Sequence, residues 1–202
     1  MTGMERASLG RLADSHRRLD DVMDRLLAAA RRLAAGRPDA GDVAAVQGAA
    51  SELAEAARRH FLDEDGSVFP RLSTRRPELA EAIARLSAEH APQIAMQTAL
   101  ADAAKALDGG SRPGAGKVLL ELAEKFGAQQ RAHDQQEETL LADAGGALTA
   151  EDDAEIAAEM ATREQRDERR EIVAKPKASA KPKAKPAKKP PAKKKPAKRR
   201  AR

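Results

Sequence analysis

The chain contains four histidines, at positions 16, 60, 90 and 133. Two of them are followed four residues later by a glutamate: His60 by Glu64, and His133 by Glu137. On a helix that spacing puts an imidazole and a carboxylate on one face, about one turn apart. Imidazole nitrogen with carboxylate oxygen suits iron, manganese or zinc. The chain has no cysteine, so thiolate sites and disulfides are excluded and any metal must use nitrogen and oxygen ligands. Two carboxylates available to bridge two cations favour a binuclear centre.

Those side chains must be positioned by helices. Ala and Leu dominate, β-branched residues are few, and the only aromatics are Phe61, Phe69 and Phe126; this is a helix composition. Breakers divide the chain. A first helix is expected from about Leu9 to Ala35, ending at Gly36-Arg37-Pro38. A second runs from about Asp42, a suitable N-cap, to Glu64 and stops before Gly66, with a short Val68-Phe69-Pro70 segment after it. A third starts near Pro77 and reaches about Leu107. A loop over 108–114 leads to a fourth, from about Ala115 to Ala144. A fifth, highly charged, spans Thr149 to about Ile172 and reads as a solvated extension; Thr149 and Asp152 resemble a capping box. Four long helices with short connections predict an all-α fold, an up-down-up-down four-helix bundle.

Each histidine falls on an apolar seam. Helix one reads Leu12, His16, Leu19, Met23, Leu26; helix two reads Val46, Ala50, Leu53, Ala57, His60, Glu64. Helix three reads Leu79, Ile83, Leu86, His90, Ile94; helix four reads Leu119, Leu122, Phe126, Gln129 or Gln130, His133, Glu137, Leu140. A core stripe takes roughly three positions in seven, so four randomly placed histidines would all land there about 0.03 of the time. One buried histidine is ordinarily a hydrogen-bonded core residue, and a lone helix glutamate is ordinarily solvated. Four imidazoles and two carboxylates together would cost several kcal/mol to bury unpaired, and bound cations supply the missing partners. Antiparallel packing puts His16, early in its helix, beside His60, late in the next. The Glu-x-x-His pairs of ferritin-like sites are absent, since Ala13, Ala57, Ser87 and Gln130 stand three residues before the histidines.

The ordered set His … His-x-x-x-Glu … His … His-x-x-x-Glu resembles the hemerythrin-like, or HHE cation-binding, family. The local strings Ser15-His16-Arg17-Arg18-Leu19, His60-Phe61-Leu62-Asp63-Glu64, Glu89-His90 and His133-Asp134-Gln135-Gln136-Glu137-Glu138 carry the resemblance, over roughly residues 8–145. It implies a non-heme di-iron site held by His16, His60, Glu64, His90, His133 and Glu137, with Glu64 and Glu137 as bridging carboxylates. The chain departs from the oxygen-carrying members at Ile94, where they have a second helix-three histidine, and at Glu138, where they have Asp. One ion would therefore lack a nitrogen ligand, a gap open to a small molecule or to help from Gln93 or Glu138. Pro92, inside helix three, is expected to kink it beside His90.

The rest of the chain differs chemically. Residues 173–202 hold 11 Lys, 3 Arg and no acid, a charge of +14, whereas the whole chain is +5 and residues 1–172 are therefore −9. The basic groups are Lys175, Lys177, Lys181, Lys183, Lys185, Lys188, Lys189, Lys193, Lys194, Lys195, Lys198, Arg199, Arg200 and Arg202, set among Ala and Pro. Such a segment is expected to be disordered alone and to neutralise phosphates without reading bases. It resembles the Lys/Ala/Pro-rich tails of linker histones and some bacterial nucleoid proteins. A solubilising or membrane-surface role is the plainer alternative. The first 30 residues show no signal-peptide pattern, and no run approaches the ~20 apolar residues of a membrane span.

The expected organisation is a bundle over 1–147, a charged helical extension over 148–172 and a basic tail over 173–202. The expected function is a cytoplasmic, nucleoid-associated di-iron protein that handles or senses iron, oxygen, nitric oxide or peroxide, and is a binder rather than an enzyme. The alternatives are a di-iron peroxidase or oxidase protecting DNA, and a metal-free nucleoid-associated helical protein.

Overall fold

The structure, a computed structural model, describes residues 6–36, 40–107 and 114–174. The fourteen cationic groups of the basic tail, from Lys175 on, lie outside them. Among the described residues the fold is all-α. The elements are α1 (Ala7–Ala34), α2 (Ala40–Asp63), a π-helical turn (Glu64–Val68), α3 (Phe69–Arg75), a 3-10 turn (Pro77–Leu79), α4 (Ala80–Lys105), α5 (Ala115–Ala144), a second 3-10 turn (Gly145–Ala147) and α6 (Ala150–Ala174).

The bundle is made by α1, α2, α4 and α5, packed in a ring in which α1 touches α2 and α5, and α4 touches the same two. Helix α1 ends at Gly36, whose φ of 80° turns the chain where a residue with a Cβ would be strained. Asp42 lies in the first turn of α2 and pairs with Arg32 of α1 at 2.5 Å, rather than standing outside the helix as its cap.

Helix two does not stop before Gly66. That glycine has no positive φ, so it forms no left-handed cap, and the helical path continues through the π turn into α3. The turn closes with the Phe69 N–H donating to the Glu64 carbonyl, an i to i+5 bond. Pro92 does not end α4, which runs through it to Lys105 with Pro92 on the exposed side.

The fifth helix is not a solvated extension. Ile156 and Met160 of α6 are buried in one apolar cluster with Leu12, Phe69, Leu72, Ile83, Leu86 and Leu148. The capping box forms in both directions: the Thr149 N–H donates to Asp152 Oδ2 at 2.8 Å and the Asp152 N–H to Thr149 Oγ1 at 3.1 Å. Asp153 also accepts the free N–H groups of Ala7 and Ser8 at the start of α1, so α6 caps another helix.

The core is in two parts. A larger cluster at the loop end joins Leu19 to Leu33 of α1 with Leu53, Ala57, Phe61, Leu100, Leu119 and Phe126. The smaller one lies at the α6 end. Between them, on every bundle helix, falls a buried polar position: His16 between Leu12 and Leu19, His60 and Glu64 between Ala57 and Val68, His90 between Leu86 and Leu100, and His133 and Glu137 between Phe126 and Ala144.

Candidate metal centre

All six predicted site residues meet in that layer. His60, Glu64, His133 and Glu137 are fully buried, and His16 and His90 nearly so. Their ligand atoms form two groups: His16, His60, Glu64 and Glu137 in one, and Glu64, His90 and His133 in the other. Glu64 belongs to both. Its Oε1 lies 2.5 Å from His60 Nε2 and 4.0 Å from His16 Nε2. Its Oε2 lies 2.9 Å from His90 Nε2 and 4.0 Å from His133 Nε2. One carboxylate thus presents a different oxygen to each group. Glu137 Oε2 lies 3.0 Å from His16 Nε2, and Glu137 belongs to the first group.

The outward ring nitrogens of His90 and His133 are held by acids that adjoin Glu64 and His90 in sequence. His90 Nδ1 is 2.8 Å from Asp65 Oδ2, and His133 Nδ1 is 3.0 Å from Glu89 Oε2. Asp65 also accepts from Ser87 Oγ at 2.7 Å, tying the π turn to α4. A carboxylate beyond a ligating imidazole fixes its tautomer and makes it more basic. With both Nδ1–H groups donating outward, the two Nε2 atoms face each other at 3.3 Å beside Glu64 Oε2. Three acceptors converge there, and only a proton or a cation satisfies them. Glu64 Oε1 and Oε2, Glu137 Oε1 and both nitrogens of His60 are buried and lack a well-aligned hydrogen bond. Such unpaired buried atoms are rare in proteins. Their chemistry fits a pair of cations with nitrogen and oxygen ligands.

Phe61 and Phe69 lie on either side of the layer's turn and both stack parallel to the His90 ring, at centroid distances of 4.3 and 6.1 Å. They fix the ring plane by packing.

The protonation of the cage follows from its charges. Burial pulls the His16 imidazole down, but the hydrogen bond to Glu137 and its charge overcome this and push it up to about 9. His133 is also pulled down by burial and then pushed up to about 9 by Glu64 and Glu89. Burial would raise the Glu64 carboxyl, yet the charge of His60 and the nearby imidazoles of His133 and His90 hold it well below the usual range. Glu137 is raised, first by burial and then by the charge of Glu64.

Two sequence expectations fail here. Ile94 is 42 % exposed, because the buried stripe of α4 runs Ile83, Leu86, His90, Gln93, Gln97, Leu100. From His90 the helix turns inward after three residues, not four, so a histidine at 94 would not face the cage. Glu138 is also exposed and stands 3.8 Å from His16 Nδ1, outside the layer. Gln93, by contrast, is buried with its side-chain oxygen unpartnered. Of the two glutamines offered for α5, Gln130 is the buried one, and it donates to buried Asp134 at 2.7 Å. Asp65, Glu89 and Asp134 escape the seam reading. Each adjoins one of the six clustered residues in sequence, which was the available signal, but the partners of Asp65 and Glu89 are on other helices.

A family model, the hemerythrin HHE cation-binding domain, matches residues 8–144. No curated protein and no solved structure matches the chain.

Proposed function

The chain belongs to the hemerythrin HHE cation-binding domain family, and from that premise we propose that its buried layer holds two iron ions, bridged by Glu64. The observation that carries this reading is the placement of Glu64, with one oxygen toward each histidine pair. His16, His60 and Glu137 complete the first set of ligands, and His90 and His133 the second. Manganese and zinc suit the same atoms.

Iron so held supplies reversible electron transfer and small-ligand binding. The residues set its surroundings. The second group offers one carboxylate fewer than the first, so it is where oxygen, nitric oxide or peroxide would find room. Asp65 and Glu89 orient His90 and His133 from behind, and Phe61 and Phe69 cover His90 and keep water from it. The role we favour is handling or sensing iron or one of these small ligands. A di-iron peroxidase or oxidase would use the same residues; peroxide turnover by the loaded protein separates it from a binder.

The charge division supports a second part of the proposal. A segment of +14 joined to a body of −9 fits sequence-independent attachment to nucleic acid, and hence a cytoplasmic, nucleoid-associated protein. No helix among the described residues is long and apolar enough to cross a membrane.

Elemental analysis of the full chain loaded with iron tests the centre. About two ions per chain are expected, with His60→Ala, His133→Ala losing most of them. Metal content unchanged in that double variant, or absent from the parent, refutes the reading and favours a metal-free bundle.

A further inference from the structure

Glu64, the shared carboxylate, opens the π turn, a rare widened turn of a kind that recurs at functional sites. The turn is gripped from outside. Arg163 of α6 does so on both flanks. Its Nη1 donates to Asp63 Oδ1 at 2.6 Å and its Nη2 to Ser67 Oγ at 2.6 Å. Asp63 precedes Glu64, Ser67 follows it by three residues, and both are buried. Gly66 completes the fit: a Cβ there would come within 3.0 Å of Arg163 Nη2, so the guanidinium lies on the turn where a side chain would be. Behind Ser67, Glu159 accepts its hydroxyl and is paired with Arg71 at 2.9 Å. Buried Ile156 and Met160 seat α6 so that Arg163 is delivered to this spot.

We propose that α6, which lies wholly beyond the matched residues 8–144, is part of the metal centre, and that Arg163 is the positioning residue that holds Glu64 between the two histidine pairs. A family domain ending at residue 144 would lack this grip. The inference rests on the two-ion reading above.

The test uses the full chain and Mn(II), with ion affinities from equilibrium titration and the exchange coupling between the ions from electron paramagnetic resonance. Arg163→Gln removes both hydrogen bonds. Ser67→Ala removes the Nη2 contact on the turn and leaves the arginine intact, so it decides the matter if Arg163→Gln does not fold. Asp152→Asn weakens the contact of α6 with Arg75, away from the turn, and controls for loosened packing. Both test variants should lower the affinity for one of the two ions about tenfold or more and weaken the coupling. The control should melt earlier with affinities and coupling unchanged. Two ions in the parent, with the same affinities and coupling in both test variants, overturns the role of Arg163 alone. Fewer than two ions in the parent overturns the two-ion reading, and this inference with it.

Discussion

Metal uptake should depend on pH more steeply than ordinary histidine ligands allow. His16 and His133, one in each ligand group, are both pushed up to about 9 in the metal-free cage. Each must lose its proton before its inward nitrogen can bind a cation. At pH 7 that costs on the order of 3 kcal/mol per imidazole, from about two pH units at 1.36 kcal/mol each. Below the raised value, affinity should rise about tenfold per pH unit for each ion, or about 100-fold between pH 6 and 8. An imidazole at the ordinary 6.5 would give only about fourfold over that range. Zn(II), which has no redox chemistry, is the suitable probe, titrated against a competing chelator at pH 6, 7 and 8. Calorimetry in buffers of differing ionisation enthalpy should count at least one proton released per ion at pH 7, since His90 beside His133 is raised as well. The metal-free fold should show the opposite trend. A raised histidine contributes its stability fully below the unfolded value of about 6.5 and loses it as pH climbs through about 9. The metal-free protein should therefore melt earlier at pH 9.5 than at pH 6.5, while the loaded protein gains. An affinity change near fourfold, or no proton release, would show that Glu137, Glu64 and Glu89 do not hold these imidazoles protonated.

Three further outcomes are expected. Asp65→Asn keeps the size of the side chain but removes the charge behind His90; metal affinity measured by chelator competition should fall about tenfold to a hundredfold with helicity unchanged. Thr149→Ala removes the cap of α6 and should destabilise the fold by about 1 kcal/mol in urea unfolding. The hydrogen bonds from Arg75 hold the partner Asp152 carboxyl well below its usual range, so its contribution is present above about pH 3.9 and is lost as pH falls below that. Deleting residues 173–202 should abolish DNA binding in gel-shift titrations and leave metal content intact. With roughly half of the tail charges engaged, the full chain should show a log–log salt slope on the order of −6; a tailless protein that binds as well would refute the tether.

The buried histidines and glutamates and their helices were legible in the sequence because burial of a helix face follows a period near 3.6, and a histidine among leucines on that face has nowhere to go but inward. The 3–4 spacing placed His16, His60, His90 and His133 correctly, and the i, i+4 partners Glu64 and Glu137 with them. The same reasoning failed at Ile94, where four steps from His90 kept the seam apolar, yet packing against α2 and α5 buried polar Gln93, three steps on, instead. It failed at Gly66 too, because a glycine marks a helix end only where the backbone takes a positive φ, and here neighbouring helices hold it in a π turn instead. The charged face of α6 looked solvated because its partners Asp63, Ser67, Arg71 and Arg75 lie about 80 to 100 residues away. Periodicity reports which side of a helix is buried. Which residue waits on the other side, and so whether a carboxylate bridges, orients an imidazole or meets water, is decided only when the helices pack.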